Sequence, residues 1–212
     1  DPVCATYRAD YKVCELPPNT QGIAALQMLQ MLEKYDLRSM GFGSADSIMA
    51  QVEAKRLAFA DRAKGYADPE FSGIDPEVFI ADGYNARRAG LIDLSKPMPN
   101  VKAGLDFPAA DKALGDGDTT YLTVADENGM MVSLIQSNYR GMGSGLVADG
   151  MGFMFQDRGQ LFSLDPAHPN VWEPGKRPFH TIIPAFAFKK DMPGCQVRAV
   201  PIEQACPFEP WL

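Results

Sequence analysis

Two adjacent threonines stand where a polar segment of the chain gives way to a strand-like one. Thr119 and Thr120 follow Gly117-Asp118. They open the alternating segment Tyr121–Asp126, which is typical of a β-strand. A threonine that begins a strand and is freed by a cut before it can be a complete catalytic unit, because its hydroxyl is the nucleophile and its own α-amine is the base. A Thr-Thr pair entering a strand is also commonplace without such chemistry, so its meaning depends on the elements around it.

The composition narrows the class of protein. The chain has 212 residues, 46% of them hydrophobic and 22% charged, which suits one globular domain, or most of one, with a sizeable core. The net charge of −7 argues against a nucleic-acid or anionic-membrane partner, because both require a basic face. No apolar run in the sequence approaches the length of a membrane span. A small anionic substrate stays open, since it needs only one or two local cations.

The few cysteines and histidines argue against a disulfide scaffold and against a metal enzyme. The four cysteines are too few for such a scaffold at this length. Cys4 and Cys14 can face each other across a short hairpin, but two partly buried thiols are the favoured interpretation. His168 and His180 are the two histidines, and no Cys/His cluster has zinc spacing. The sequence therefore predicts no cofactor and no metal, although a carboxylate-bound ion stays open.

The first half of the chain is predicted to be mainly helical. An edge strand or hairpin is expected over Tyr7–Leu16, and the apolar spacing predicts a helix over Ile23–Leu37. A second helix is expected over Ala45–Lys64, with Ser44 as its N-cap. A short helix is expected near Ala81–Ala89.

The second helix is predicted to have an apolar face and a charged one. Residues expected to share a face are Ile48, Val52, Phe59 and Ala63. The charges away from it are interpreted as a solvated face with helix ion pairs; they are Glu53, Lys55, Arg56, Asp61 and Arg62. After this helix, Lys96–Gly117 is predicted to be a long exposed connection, the kind of segment where backbones are cut most easily.

The segment after Thr119 is predicted to be strand-rich. Tyr121–Asp126 and Met131–Gln136 flank Glu127-Asn128-Gly129, and Asn-Gly between two strand-like runs indicates a hairpin. Gly141–Gly145 has the glycines of a phosphate loop but not its strand–loop–helix context, so a tight loop beside a ligand or another backbone is expected. Further strand-like residues lie at Gly152–Phe155 and Thr181–Lys189.

In this order and spacing, the motifs of the chain resemble those of the γ-glutamyltransferase family. The matching pieces are Leu16-Pro-Pro-Asn-Thr-Gln-Gly22, Tyr35-Asp36, Gly41-Phe-Gly-Ser-Ala-Asp46, Ala60-Asp-Arg62, Asp68-Pro-Glu-Phe71, Gly117-Asp-Thr-Thr-Tyr121, Ala125-Asp-Glu-Asn-Gly129, Gly143-Ser-Gly145 and Lys176-Arg-Pro178. The bacterial γ-glutamyltransferase-like, cephalosporin acylase-like branch is the most similar, through Ser133-Leu-Ile-Gln-Ser-Asn138 and Arg177-Pro-Phe-His-Thr-Ile-Ile-Pro184.

The resemblance implies an α+β N-terminal-nucleophile hydrolase fold, a four-layer αββα sandwich of which this chain is a part. It implies self-cleavage between Asp118 and Thr119. Residues 1–118 are then the end of the large-subunit segment, residues 119–190 begin the small catalytic segment, and residues 191–212 are an unrecognised tail. The mature Thr119 is expected to attack γ-glutamyl amides such as glutathione, and the acyl group passes to water or an amino acid.

Family roles carry over residue by residue. Thr119 matches the nucleophile, and Ser137 stands where the family has a threonine that supports it, with a plain strand serine as the alternative. Tyr139 stands where many members have a substrate-binding asparagine. Asn138, one residue earlier, would face the other side of a regular strand; a bulge would bring it back.

Two departures from the family concern the acyl group. Leu161 stands where the family has an aspartate for the glutamyl ammonium, and it cannot pair with a cation. His180 and Thr181 replace the adjacent serines that bind the α-carboxylate, and both can donate hydrogen bonds to a carboxylate. Arg158 lies in the same neighbourhood, and its guanidinium can hold an anion bidentately. For His180 and Arg158 purely structural roles are the alternatives. These changes favour altered acyl specificity, as in cephalosporin acylases.

The resemblance also sets what the chain is expected to lack. Family members carry a longer N-terminal segment and a Gly-Gly oxyanion turn, and neither is recognised here. Three readings therefore stay open, namely a glutathione hydrolase-like enzyme, a cephalosporin or glutaryl acylase-like enzyme, and a catalytically incomplete fragment. The expected partners are a small acyl amide, the remaining segments of the family precursor and a homo-oligomer, with no nucleic acid or membrane. The sequence does not indicate the compartment; the bacterial cytoplasm and the periplasm are both compatible.

Overall fold

The α-helices are grouped between two pairs of strands along the chain, and such segregation is that of the predicted α+β class. The computed structural model describes residues 1–81, 83–106 and 118–189, and for Asp118 the backbone alone. The strands are β1 Val3–Tyr7, β2 Tyr11–Glu15, β3 Asp118–Ala125, β4 Met131–Tyr139 and β5 Phe186–Lys189. The α-helices are α1 Gly22–Leu32, α2 Leu37–Met40, α3 Ala45–Gly65, α4 Pro69–Ser72 and α5 Tyr84–Ala89, with 3₁₀ turns at Pro76–Phe79 and Arg158–Leu161.

The strands form two separate antiparallel sheets. One sheet has the order β1-β2-β5, so the last described strand pairs with a strand from the beginning of the chain. The other is the two-stranded hairpin β3-β4. In β1 and β2, Cys4 lies directly opposite Cys14, and the two form a disulfide. The interpretation of these cysteines as two thiols was therefore wrong, because the hairpin register brings their side chains face to face.

The core lies between α1 and the helices packed on it. Apolar residues of α1, including Ile23, Leu26 and Met31, are fully buried. The predicted first helix was too long, since α1 ends at Leu32. After a turn over residues 33–35, Asp36 begins the new helix α2, because its carboxylate caps that helix by accepting a hydrogen bond from Ser39 N.

The second predicted helix, α3, has the expected length and cap but a different buried face. Ser44 accepts a hydrogen bond from Ser47 N, which confirms it as the N-cap. Ile48 and Val52 are about half exposed, whereas Ala50, Ala54 and Leu57 are buried. The face of α3 that carries the alanines packs against α1. Which face is buried is therefore decided by this helix contact and not by where the largest apolar side chains lie.

Two carboxylates of α3 that were expected in solvent are buried instead. Glu53 accepts hydrogen bonds from Arg56 Nη1 and Met98 N. Asp61 is fully buried and accepts from Gly104 N. Its other donors are Gln27 Nε2, Tyr84 Oη and Arg88 Nη2. A buried carboxylate is stable only when its oxygens are hydrogen-bonded, and these partners come from sequence-distant segments that a helical pattern does not reveal.

The connection after α5 is not fully exposed in its described part. Residues 96–106 contain no helix or strand, but they run along α3. Met98 and Gly104 are held by Glu53 and Asp61, and Lys102 O accepts from Arg88 Nη1. The rest of the predicted connection, up to Gly117, lies outside the described residues, as do the predicted tail at 191–212 and residue 190.

The β3-β4 hairpin confirms the prediction from Asn-Gly. Asp126 closes its loop by accepting hydrogen bonds from Asn128 N and Met130 N, and Gly129 has the left-handed φ of +84° that its place in the turn requires. Thr119, Tyr121 and Ser137 lie on one face of the hairpin, as its register requires. The other face carries exposed apolar side chains, namely Leu122, Val124, Val132 and Leu134.

The later strand predictions were mostly wrong. Gly152–Phe155 contributes a single bridge, between Val147 and Met154, and not a strand. In Thr181–Lys189 the strand begins at Phe186, two residues after Pro184, because proline cannot donate to a ladder. The glycine loop does lie beside another backbone, since a Cβ added to Gly143 would come within 2.5 Å of Phe155 O. None of the described helices is both long and apolar enough to cross a bilayer.

Glu15, at the end of β2, yields a stability prediction. It is 1% exposed, and neither carboxyl oxygen has a hydrogen-bond partner within the described residues. It lies against Gly22, where an added Cβ would come within 2.7 Å of its Oε2. Burial raises the pKa of Glu15 well above its ordinary 4.5. The folded chain therefore keeps a proton that the unfolded chain loses, and stability falls as the pH rises above 4.5.

We expect Glu15→Gln to raise the free energy of unfolding at pH 7.5, on the order of 1–3 kcal/mol, and to leave it nearly unchanged at pH 4. Urea denaturation across this pH range measures the difference. Glu127→Gln, at an exposed loop position, is the matched control and should change neither value. Parallel pH curves for Glu15→Gln and the native chain would contradict the prediction.

Candidate functional site

Thr119 lies at a β-bulge, where the pairing of β3 and β4 slips by one residue. Asp118 pairs with Tyr139, and Thr120 pairs with Gln136. Thr119 alone therefore opposes two residues of β4, Ser137 and Asn138. A bulge unpairs the local ladder and redirects side chains, and bulges are common beside active sites. The peptide bond between Asp118 and Thr119 is consequently part of an irregular segment and not of a regular ladder.

The hydroxyls of Thr119 and Ser137 are hydrogen-bonded. Thr119 Oγ1 donates to Ser137 Oγ at 3.0 Å, and Tyr139 N donates to the same oxygen at 2.8 Å. Tyr139 has a φ of +76°, a left-handed value that is rare for a large side chain. Its backbone turns the chain away at the end of β4, while its N–H points back at Ser137. The predicted pair of Thr119 and Ser137 is thus brought together, and Ser137 is fixed from a second side.

Asn138 is adjacent to this pair but is not joined to it. Its backbone oxygen accepts a hydrogen bond from Asp157 N at 3.2 Å, and its Cβ lies close to Gly143. Within the described residues the Asn138 amide makes no hydrogen bond to Thr119 or Ser137. The bulge that could turn Asn138 toward Thr119 does exist. The described contacts of Asn138, however, are with the loop that follows β4.

Arg158 connects Tyr139 to the segment that follows Lys176-Arg-Pro178. It is 1% exposed, and its guanidinium carbon lies 5.1 Å from the centre of the Tyr139 ring, within cation–π distance. Its Nη1 donates to Thr181 Oγ1 at 2.7 Å. The neighbouring Asp157 is held by Arg140, with 2.6 Å between Oδ2 and Nε, so this loop has a fixed position beneath β4.

Thr181 and His180 present two hydrogen-bond donors beside this cation. Thr181 Oγ1 accepts from Arg158, so its own hydrogen is left to donate. Burial, with a contribution from the Arg158 charge, lowers the pKa of His180 to about 4, so the ring is neutral at pH 7. His180 Nδ1 accepts from Ile182 N at 3.3 Å, which places the ring hydrogen on Nε2. A cation and two neutral donors suit a carboxylate ligand.

An ion pair fixes the start of this segment from the helical body. Asp68 receives three hydrogen bonds from Arg177, from its backbone N and from the guanidinium Nε and Nη2, at 2.7–3.0 Å. Arg177 lowers the pKa of Asp68 to about 2, so the pair stays charged over the physiological range. The sequence marked both residues as parts of motifs but gave them no role. The contact spans 109 residues of the chain, and no local pattern reports it.

The side chains around Leu161 are apolar, aromatic or polar, and one of them is the cation of Arg62. Leu161 is 3% exposed and lines a small cavity with Arg62, Tyr66, His168 and Phe179. The described residues hold no cluster of three or more metal-ligating side chains. What the site brings together is a hydroxyl nucleophile candidate, a second hydroxyl that is hydrogen-bonded to it and, through Tyr139, the cation of Arg158 with the hydroxyl of Thr181.

A family model and similar curated proteins agree on one protein family. The family model described as Gamma-glutamyltranspeptidase matches residues 1–197. The chain is 38% identical to the glutathione hydrolase-like YwrD proenzyme of Bacillus subtilis (strain 168), over 91% of this chain and 34% of that protein. It is 34% identical to the Acylase ACY 1 proenzyme of Pseudomonas sp. (strain SE83), over 90% of this chain and 33% of that protein.

Among solved structures, the fold matches cephalosporin acylase from Bacillus halodurans. The TM-score is 0.77 and the identity 38%, with 92% of this chain and 33% of that chain covered. The chain spans about a third of the length of the curated relatives it matches. These relatives are named as hydrolase and acylase proenzymes, in agreement with the resemblance carried by the motifs. On the family model and on these identities, the chain belongs to the gamma-glutamyltranspeptidase family of enzymes.

Proposed function

We propose that this chain carries the nucleophile of a self-cleaving amidohydrolase, in which Thr119 is the N-terminal residue of the mature catalytic segment. The observation that carries this proposal is the 3.0 Å hydrogen bond from Thr119 Oγ1 to Ser137 Oγ at a bulge in the strand pair. The bond holds the threonine hydroxyl in one orientation, which is what a nucleophile requires.

Self-cleavage needs no outside reagent except water. Thr119 Oγ1 adds to the carbonyl carbon of Asp118, the C–N bond breaks, and the nitrogen of Thr119 takes up the proton that the hydroxyl lost. Asp118 is then joined to Thr119 by an ester, which water hydrolyses to a carboxylate and the free hydroxyl. Irregular pairing at the bulge favours this step, since the peptide must bend toward its own side chain.

In turnover, the freed α-amine of Thr119 acts as the base. Its ordinary pKa of about 7.7–8.0 leaves a useful neutral fraction near physiological pH. The amine takes the hydroxyl proton as Oγ1 attacks the substrate amide, and it passes that proton to the leaving amine when the C–N bond breaks. Water, or an acceptor amine, then releases the acyl group from the threonine ester. Ser137 keeps the hydroxyl aimed through both steps.

The acyl group is proposed to end in a carboxylate that Arg158, Thr181 and His180 bind. Both γ-glutamyl and glutaryl groups have such an end, and they differ by an α-ammonium. A glutathione hydrolase-like activity requires an anionic or accepting partner for this ammonium. Leu161 is apolar and the arginines Arg62 and Arg158 are cations, so none of the three can be that partner. The second candidate, an acylase acting on glutaryl-type amides, is favoured by this observation. The likeness to cephalosporin acylase supports it.

The layered fold and the division of the chain are parts of the same proposal. The four-layer αββα sandwich of an N-terminal-nucleophile hydrolase would require more strands than the five described here. Remaining segments of the family precursor would supply them, and the exposed apolar face of β3-β4 is suited to such packing. Residues 1–118 and 119–212 would be the pieces of this chain on either side of the cut, with 119–190 as the start of the catalytic segment.

The first prediction from this proposal concerns the nucleophile itself. Thr119→Ala removes the hydroxyl, so the chain should stay uncut and amidase activity should disappear. Thr119→Ser keeps a hydroxyl and should restore part of both. Intact mass under denaturing conditions, with N-terminal sequencing, reads out the cut. A Thr119→Ala chain that is still cleaved before residue 119 would refute the assignment.

The second prediction concerns Ser137. Ser137→Ala removes the acceptor of Thr119 Oγ1 and leaves Tyr139 N without its partner, so cleavage and turnover should each slow by about 10- to 100-fold. Ser137→Thr keeps the hydroxyl and should lose much less. Ser133→Ala is the matched control, because Ser133 lies on the same face of β4 but bonds Tyr121. Equal losses in the two alanine variants would show a general effect on the hairpin.

The third prediction separates the two candidate substrates. Because the site offers cations and Leu161, kcat/KM for glutaryl-p-nitroanilide should exceed that for γ-glutamyl-p-nitroanilide by about tenfold or more. Leu161→Asp should shift the ratio toward the γ-glutamyl substrate, and Leu161→Asn, of similar size but uncharged, should not. A clear γ-glutamyl preference in the native enzyme would exclude the acylase reading.

A further inference from the structure

His180 and Thr181 belong to the segment 176–181, which contains no helix or strand. Its backbone is bonded instead to the turn that precedes α1. Asn19 Nδ2 donates to Pro178 O at 2.5 Å, and His180 N donates to Asn19 O at 2.7 Å. Gln21 Nε2 donates to Thr181 O at 2.6 Å. The position of both donors is therefore set by a turn about 160 residues earlier in the chain.

Gln21 is itself fixed by a cation on α3. Arg62 Nη1 donates to Gln21 Oε1 at 2.7 Å, so the two ends of the carboxamide are occupied by Arg62 and Thr181. The Arg62 guanidinium packs on the ring of Phe59, 3.7 Å from its centre. Burial lowers its pKa to about 10, which leaves it charged at neutral pH. A cation on the carboxamide oxygen polarises the amide and strengthens the N–H as a donor.

The place of Gln21 in the fold does not account for a glutamine. It occupies the N-cap position of α1, yet its side chain makes no capping hydrogen bond to that helix. Serine, threonine, aspartate and asparagine are the residues that cap well. The side chain at position 21 is directed across to Thr181, where only a long carboxamide supplies both an acceptor for Arg62 and a donor for the Thr181 carbonyl.

We propose that Gln21, oriented by Arg62, is a positioning residue for acyl recognition, acting through Thr181. Gln21 holds the Thr181 carbonyl, and Arg158 holds the Thr181 hydroxyl oxygen. With both ends of the residue fixed, the remaining hydroxyl hydrogen points at one place, where the terminal carboxylate of the acyl group is bound. This inference rests on the proposed function, since it supplies the specificity of the same site.

The test is a double-mutant cycle on carboxylate binding. Glutarate, the acid released from a glutaryl amide, is titrated into the protein, and its Kd is measured by calorimetry. Gln21→Met keeps the length of the side chain but removes both hydrogen bonds, and it should weaken glutarate about tenfold. Thr181→Val should weaken glutarate as much or more. In the Thr181→Val background, Gln21→Met should have little further effect, because its route to the ligand is gone.

Matched variants separate positioning from a loss of fold. Gln30→Met removes another carboxamide of α1, which bridges Ile80 and Asn85, and it should leave the Kd for glutarate unchanged. Gln21→Glu keeps the acceptor for Arg62 but sets a carboxylate against the Thr181 carbonyl, so it should behave like Gln21→Met. Thermal unfolding and the rate of self-cleavage should change little in all Gln21 variants.

The outcomes are distinct. Additive effects of Gln21→Met and Thr181→Val, or equal losses in Gln21→Met and Gln30→Met, would overturn the positioning role. A native protein that does not bind glutarate would overturn it as well. An uncut, inactive native chain that still binds glutarate, with the non-additive pattern, would refute the catalytic proposal and leave the positioning role standing.

Discussion

The candidate site depends above all on the hydrogen bonds that hold residues 176–181. This segment has no regular structure, and an isolated peptide of its kind would sample many conformations. Asp68 fixes Arg177 at one end, and the turn at Asn19 and Gln21 fixes the backbone at the other. All of these partners come from the helical half of the chain. His180 and Thr181, the proposed donors to the acyl carboxylate, therefore have a defined position only when the helical body is folded.

The second constraint is the bulge opposite Thr119. A regular ladder would alternate residues strictly between the two faces, and Ser137 and Asn138 could not both oppose one threonine. The left-handed backbone of Tyr139 redirects the chain at the end of β4, and its N–H bonds Ser137 Oγ. The Tyr139 ring is buried against Arg158, which also bonds Thr181, so one arginine links the bulge to residues 176–181. The candidate nucleophile and the proposed site for the acyl carboxylate are thereby joined in one connected structure.

The sequence predicted local features well and long-range ones poorly. Ser44 as a cap and the Asn-Gly hairpin follow from interactions within a few residues, and both are confirmed. The solvated interpretation of Asp61 failed, because its partners include Gly104 N, 43 residues away. The prediction of which face of α3 is buried was wrong for a related reason. Helical spacing identifies faces, but whether Ile48 or Ala50 is buried depends on how closely α1 approaches.

The same limit applies to the candidate site. The types and order of the motifs were enough to select Thr119, Ser137, Arg158 and Thr181, and hydrogen bonds or ring contacts link them into one group. Gln21 and Arg62 were missed, since neither residue type at its position suggests chemistry. Their proposed role rests on a contact between the start of α1 and a segment 160 residues later, which no local pattern reports.

The two halves of the chain are interlocked across the proposed cut. β5, from the second half, pairs with β2, from the first, in register from Tyr11 to Cys14. The Asp68–Arg177 ion pair and the Gln21–Thr181 bond also cross the 118–119 boundary. Breaking one peptide bond before Thr119 removes none of these interactions. In the proposed mechanism, cleavage would therefore free an α-amine while His180 and Thr181 stay where the helical half holds them. One covalent change would then activate a site that is already assembled.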